Sequence, residues 1–371
     1  MLNIKELKKI YFGKKVLITG HSGFKGAYVC VLLKYLGAKV YGYALKEEKG
    51  GLFSVLKKEL KKDQKKYLYD ENKYADIRDY KKLYDYIKKV KPDFILHMAA
   101  QPLVLTSYNA PKYTYEVNVN GTINLMEAIR KIYIGGKKVS VLNVTTDKVY
   151  ENNDLKNYAF KENDKLCGHD PYANSKSCSE LVTHAYNNSF FKKSKNIKVS
   201  TARAGNVIGG GDVCKDRIIP DAYRAIKSGK KLLVRNPNSI RPYQYVLEPI
   251  IMYLNIMAYQ NINDKYVGSY NIGPEKSCCF STKQLVDEFK KAWQKIDNNK
   301  LIIEYKKSNK AKGKEAKFLR LNNNLIKNVF KYKEIFSMKY NMEYTTLIYK
   351  EMLHNKKLIN TLLAIISNIS I

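Results

Sequence analysis

Residues 15–26 read KVLITGHSGFKG. Lys15–Thr19 is a short β-branched run that ends on glycine, the pattern of a buried strand. Gly26–Leu36 then carries apolar residues at helical spacing. Between the two, Gly20, Gly23 and Gly26 make a GxxGxxG turn in the strand–turn–helix setting that gives such glycines a meaning. Gly20 permits the tight turn and Gly23 lets backbone approach a pyrophosphate. Gly26 allows close packing of helix on strand while the helix N-terminus faces the anion. A dinucleotide site is therefore expected here, with Ser22 and Phe24 part of the same cradle.

Outward from this stretch the chain keeps alternating. Strand candidates follow at Lys39–Tyr43, Phe94–Met98, Val139–Thr145 and Lys198–Arg203. Helical spacing appears in Asp79–Val90, Thr122–Lys131 and Ser175–Phe190. This order predicts an α/β fold, a Rossmann-like doubly wound parallel sheet. After Arg203 the pattern is broken by Gly209-Gly210-Gly211, Pro220, Pro237, Pro242 and Pro274. A smaller substrate-binding lobe is expected there, giving residues 1–205 as the nucleotide-binding part and 206–371 as the lobe, with segments interleaved.

The 371 residues are 45% hydrophobic, enough for a globular core without disulfide or metal staples. The six cysteines show no CxxC spacing, and no metal site is expected from them or from the five histidines. The formal charge is +33, which raises nucleic acid as a partner. The lysines are scattered, however, and read as solvated surface, so no nucleic acid is expected. Eight of the 67 cationic residues are arginine, and five of those eight lie between Arg203 and Arg241. Where lysine is the default cation, that clustering points to sites needing a planar fork for phosphate oxygens. Residues 1–12 lack the apolar core of a signal peptide. The apolar 358–371 segment is too short to span a bilayer and reads as a final packed helix or strand. A cytoplasmic protein without stable membrane insertion is expected.

No carboxylate closes the second strand before Glu47, so NAD and NADP are not distinguished at that position. Asp76 and Ile77 follow a third candidate strand and are placed at the adenine, the carboxylate accepting its amine and the isoleucine covering its face. Ala99, Ala100 and Gln101 follow the fourth strand at the carboxyl edge, where ligands lie in such sheets. Tyr172 and Lys176 are four apart in a helical stretch and share a face. A lysine ammonium there is expected to stabilise phenolate and lower the tyrosine pKa from about 10, making Tyr172 a base for a sugar hydroxyl. Thr146 can bond the same hydroxyl, and Asp147 is a candidate acid at that strand's end.

These blocks, with HMAAQPLV, NVNGT, TTDKVYEN, DPYANSK, RAGNVIGGGD, RNPNSIRPYQYVLEP and NIGP, resemble the extended short-chain dehydrogenase/reductase superfamily, and within it the CDP-glucose 4,6-dehydratase branch. The resemblance runs from about Gly13 to Asn322. It implies bound NAD and a three-step reaction on a CDP-hexose: oxidation at C4, loss of water across C5 and C6, and hydride return to C6. It implies Thr146, Tyr172 and Lys176 as the oxidation triad, with Tyr172 and Lys176 also touching the cofactor. Asp147 would protonate the departing C6 hydroxyl, while Lys148 would either take the C5 proton or stay charged beside the enolate. Asn206 and Arg241 are implied at the sugar diphosphate, with Arg235 a weaker candidate, and a homodimer or dimer of dimers is implied through two long helices. A nucleotide-sugar 4-epimerase, a dehydratase of another nucleotide hexose, and a non-catalytic sugar-nucleotide or nucleic-acid binding module are the competing readings. Tyr243 and Tyr245 stand where the branch usually has Trp and His, which bears on pocket shape.

Overall fold

The computed structural model describes residues 1–61, 64–154, 158–275, 278–305 and 318–369. Twelve strands follow one another as β1 (Lys15–Thr19), β2 (Lys39–Ala44), β3 (Glu71–Tyr74), β4 (Phe94–His97), β5 (Val139–Val144), β6 (Ile197–Ala204), β7 (Asn206–Ile208), β8 (Leu232–Val234), β9 (Ile240–Tyr245), β10 (Ser269–Ile272), β11 (Cys279–Ser281) and β12 (Ile303–Tyr305). Seven of them form one sheet in the order β10-β6-β5-β4-β1-β2-β3, every pair parallel. The expected doubly wound sheet is what the chain forms.

Alternation along the central strands explains the layers. Val16 and Ile18 face one apolar cluster and Leu17 the other; Leu96 and Ile95, and Leu142 and Val141, divide in the same way. Side chains of successive strand residues leave opposite faces, so a continuous apolar run needs cover on both. The helices Tyr80–Val90 and Gly121–Tyr133 cover one face through Leu83, Ile87, Leu125 and Ile129. The helices Phe24–Tyr35 and Leu247–Ile262 cover the other. Residues beyond 205 thus contribute to the large sheet, through β10 and the 247–262 helix, as well as to two small sheets, β11-β9-β7 and β12-β8.

Two helix starts differ from the sequence reading for capping reasons. The helix expected from Ser175 begins at Pro171, because the Asp170 side chain accepts from the Ala173 amide at 2.9 Å and Pro171 suits the first helical position. Asp79, expected inside a helix, is instead the cap of Tyr80–Val90, accepting from the Lys82 amide at 3.0 Å. The C-terminal apolar segment is a helix, Leu358–Asn368, burying Leu358, Leu362, Ile365 and Ile366. Its first amides, Leu358 and Ile359, donate to the Glu59 carboxylate at 2.9 and 3.2 Å. Among the described residues no helix is long and apolar enough to cross a membrane.

The chain leaves β1 for β2 and β3 on one side and returns to β4 on the other, so the crevice between the β1 and β4 ends is the topological switch point. Thr19 ties the two ends together. Its Oγ1 lies 2.7 Å from His97 Nδ1 and accepts from the Met98 and Ala99 amides at 3.1 and 3.2 Å.

Candidate active site

The glycine loop sits at that switch point, and its three glycines have separate reasons to be glycine. Gly20 has φ +78°, and a Cβ on it would fall 2.8 Å from the Ala99 amide nitrogen. A Cβ on Gly26 would lie 2.3 Å from the Gly20 carbonyl oxygen and 2.5 Å from that of His21. Gly23 caps the Phe24–Tyr35 helix without a side-chain bond, and a Cβ there would meet only the Gly20 carbonyl, at 3.4 Å. The open side of the cradle is therefore at Gly23, in front of a helix N-terminus whose first-turn amides lack a side-chain cap. The residues present fit a dinucleotide pyrophosphate.

The residues expected beside the cradle have these partners within the fold. The Ser22 hydroxyl donates to the Leu45 carbonyl at 2.8 Å, anchoring the loop to the end of β2. Gln101 holds its own loop: its Nε2 donates to Thr114 Oγ1 at 2.9 Å, and its Oε1 accepts from the Leu103 amide at 2.6 Å. Ala99 and Ala100 are half-buried at the crevice rim. The Asp76 carboxylate is gripped by Arg78 through Nε at 3.1 Å and Nη2 at 2.8 Å. Ile77 is only 5% exposed and packs where a Cβ on Gly121 would fall, 2.7 Å from its Cγ2. Its side chain packs against the core at the end of the third strand. Glu47, the first carboxylate after β2, is paired with Lys57 at 2.6 Å and also accepts from the Tyr74 hydroxyl.

The proton-transfer residues converge at the carboxyl end of β5. Thr146 leads into a single tight turn, Asp147–Val149, and its hydroxyl donates to Asp147 Oδ1 at 3.0 Å. Asp147 is 3% exposed. Burial raises its pKa, opposed by Lys148, the Thr146 hydroxyl, Arg241 and Lys25. A carboxyl pushed this way holds its proton more readily and can act as an acid. Bare Gly205 opposes it, since a Cβ there would sit 3.4 Å from Asp147 Oδ2. Lys148 is half-buried on the same turn.

Tyr172 and Lys176 share a helix face as expected, but their electrostatic relation is not the expected one. Lys176, 5% exposed, donates from Nζ to the Val144 carbonyl at 3.1 Å. Its pKa is lowered to about 8, chiefly by burial and also by Lys25, with Glu180 opposing. Burial pushes the Tyr172 phenol up to about 12; the Thr146 hydroxyl and Arg217 pull it back, while Asp147 and Asp170 add to the rise. The lowered tyrosine pKa is therefore corrected to a raised one. Removing the phenol from water penalises phenolate, and a lysine that is itself desolvated and turned to a backbone carbonyl does not offset that.

On the substrate side, Arg241 lies in β9, buried, with Nη1 donating to the Ile240 carbonyl at 2.8 Å and its charge felt at Asp147. Asn206 opens β7 in register with Tyr243 and directly follows Gly205. Arg235 is exposed just past β8 and its charge is felt at Asp221, so it is not brought into the buried group. Arg203 is structural: it forks onto Glu180 at 3.0 and 3.1 Å and donates to the Tyr150 hydroxyl at 2.7 Å. Tyr245 is fully buried, edge-on to Tyr28 and Phe336, so that departure from the branch pattern falls in the core.

Two cations went unassigned in the sequence reading. Arg217 pairs with Asp212 at 2.8 Å and is felt at Tyr172 and Lys25; its membership of the arginine cluster was the available signal. Lys25, inside the glycine motif, is felt at both Asp147 and Lys176, and no local pattern marks it. Lys25, Lys148 and Arg241 thus act on one buried carboxyl, with Arg217 felt at the neighbouring Tyr172, an arrangement suited to a polyanionic ligand.

The model of the family described as GDP-mannose 4,6 dehydratase matches residues 17–345. CDP-glucose 4,6-dehydratase of Salmonella typhimurium is 39% identical over 295 residues, covering 77% of this chain and 78% of that protein. GDP-mannose 4,6-dehydratase of Vibrio cholerae serotype O1 is 30% identical over 181 residues, 48% of this chain and 46% of that one. Among solved structures, dTDP-glucose 4,6-dehydratase from Bacillus anthracis in complex with NAD superposes with a TM-score of 0.71 at 20% identity, covering 94% of this chain and all of that one. UDP-glucose 4-epimerase from Thermotoga maritima with UDP-glucose gives 0.72 at 18% identity, covering 91% and 99%. These two share the fold. The family match runs from β1 through the first half of the helix Met338–Leu353 and takes in every residue described around Asp147; the chain belongs to the GDP-mannose 4,6-dehydratase family.

Proposed function

We propose that the chain is an NAD-dependent nucleotide-sugar 4,6-dehydratase, with CDP-glucose its favoured substrate and CDP-4-keto-6-deoxyglucose its product. The observation that carries this reading is Asp147: a buried carboxyl of raised pKa, one residue from Thr146 and facing the cations around Tyr172. A 4-epimerase needs only oxidation and re-reduction at C4, whereas dehydration also needs an acid for the C6 hydroxyl. The similarity to the Salmonella CDP-glucose 4,6-dehydratase over 77% of the chain supports the substrate.

NAD, when bound, supplies hydride acceptance at C4 and hydride return at C6. Gly20, Gly23 and Gly26 hold its pyrophosphate, with Phe24, Ala99 and Ala100 shaping the crevice beside it. Arg241 and Asn206 hold the sugar diphosphate. Thr146 bonds the C4 hydroxyl and Tyr172 takes its proton. Since burial sets the phenol near 12, the Thr146 contact and the surrounding cations have to favour phenolate as the sugar enters. The C4 ketone then acidifies the C5 hydrogen. Asp147 gives its proton to the departing C6 hydroxyl, which leaves as water. Lys148 takes the C5 proton, or stays charged and stabilises the enolate while another group takes it.

The same reading includes a homodimer in the cytoplasm. Ile123, Leu181 and Phe190 stand exposed on the 121–133 and 171–191 helical segments, and a second copy is the occupant proposed for them. Incubating the protein with CDP-glucose tests the activity: a product lighter by one water is expected, and a product of unchanged mass would make the chain an epimerase.

A further inference from the structure

Every strand pair of the large sheet is parallel. The loops that precede the strands therefore open at one edge, and the glycine cradle and Asp147 lie at the other. Bonds between these loops make the far edge continuous. The Gly13 amide donates to the Gly37 carbonyl at 2.9 Å, and the Asp93 amide to that of Lys15 at 2.8 Å. The Lys137 ammonium donates to the Lys91 carbonyl at 2.9 Å, Asn196 Nδ2 to that of Gly136 at 2.9 Å, and the Lys138 ammonium to that of Asn261. Three helices end on this edge before the chain turns into β1, β5 and β10, and each ends on an apolar residue, Phe12, Ile134 and Ile262. Phe12 and Ile262, each 68% exposed, are the most exposed large apolar side chains among the described residues, and Ile134 is 49% exposed. Single exposed apolar side chains are ordinary, whereas several on one face mark a contact surface.

The same loops are basic. Lys14, Lys91, Lys138, Lys192, Lys193 and Lys195 are exposed in them and, among the described residues, have no ion pair. The loops carry two carboxylates, and both are already held. Asp93 pairs with Lys137 at 2.7 Å and accepts from the Lys15 amide at 2.8 Å, and Asp264 pairs with Lys198 at 2.6 Å. We propose that this edge docks the protein on an anionic lipid surface. The lysines meet headgroup phosphates, and Phe12, Ile134 and Ile262 enter the boundary between headgroups and acyl chains. Nucleic acid would satisfy the lysines and leave the two isoleucines in water, and none of these loops carries an arginine to fork onto phosphate. A second copy meeting this edge about a two-fold axis would set like charge on like. Docked this way, the protein keeps the crevice of the opposite edge open to solution.

Vesicle co-sedimentation of the full chain tests this, with phosphatidylcholine alone and with phosphatidylcholine carrying ~30% phosphatidylglycerol. Binding to the anionic vesicles should exceed binding to the neutral ones at least ~10-fold at low salt, and should fall as added salt shortens the screening length. Replacing Lys138, Lys192 and Lys193 together by Gln should weaken it at least ~10-fold. The same change at three exposed lysines of the lobe, Lys227, Lys295 and Lys339, should cost no more than ~3-fold, which separates the edge from the overall charge. Phe12→Ser with Ile262→Ser should also weaken binding at least ~10-fold; Ile134→Ser with Ile262→Ser gives the same comparison if the first pair does not fold. Absent or equal binding to the two vesicles would overturn the proposal. An equal loss from the lobe lysines would overturn it too, by making net charge the cause. Vesicle binding undiminished in the folded apolar variants, with a DNA duplex bound through the edge lysines, would make the edge a nucleic-acid face instead.

Discussion

Gly23→Ala and Gly26→Ala separate packing from ligand approach within one loop. At Gly26 the added carbon would sit 2.3 and 2.5 Å from two backbone carbonyl oxygens, about 1 Å inside ordinary contact, and neither atom can rotate away. Loop and helix must move apart. Overpacking of this kind costs about 1–3 kcal/mol, which should lower the urea midpoint and, if the strain falls on the bound loop, weaken NAD about 5- to 150-fold. At Gly23 the added carbon meets one atom at 3.4 Å, and φ of −80° suits alanine. Stability should hold or rise by about 0.4–1 kcal/mol through the lost freedom of the unfolded chain. The methyl nevertheless stands on the open side of the cradle, so NAD affinity should fall at least ~10-fold, a loss of about 1.4 kcal/mol. Urea unfolding and calorimetric NAD titration on both variants decide the matter. Unchanged NAD affinity in Gly23→Ala would refute the cradle.

Three further outcomes are expected. Tyr172→Phe should abolish turnover while leaving NAD binding within about twofold of wild type (~0.4 kcal/mol), checked by calorimetry; normal turnover would remove Tyr172 as the base. Arg241→Ala should raise KM by the equivalent of about 1.5–3 kcal/mol for a lost charged hydrogen bond, while exposed Arg235→Ala should leave KM unchanged. His21 and His97 are buried and held neutral, with pKa values lowered by burial to about 4 and about 3 from 6.5. The unfolded chain binds more protons than the folded one below pH 6.5, so stability falls as pH drops through that window. Between pH 7 and 5 the loss should be about 2 kcal/mol per histidine, and a flat urea midpoint would contradict the buried neutral state.

The sheet was legible because each of its central strands is a local apolar run, and the glycine motif because its spacing is itself the geometry. The three-residue strands β7, β8, β11 and β12 were not, since pairings such as Ile303 with Leu232 come from distant parts of the chain and three residues show no period. The i, i+4 relation put Tyr172 and Lys176 on one face correctly. It carried no information on where the lysine tip would turn or how dry the site would be, and those two facts reverse the expected tyrosine shift. The same holds for Ser22 and Gln101: their positions were readable, while the partners of their side chains depend on Leu45 and Thr114 arriving from other elements. His21 gave no signal beyond its place in the motif. Yet its ring fills the space above Gly42, where a Cβ would come within 2.4 Å, and so explains a glycine in mid-strand.

The most direct measurement follows a deuterium label placed at C4 of CDP-glucose. If Tyr172 and Asp147 work on one sugar as described, the product is lighter by one water and carries the deuterium at C6. Deuterium remaining at C4 in a product of unchanged mass would contradict the account.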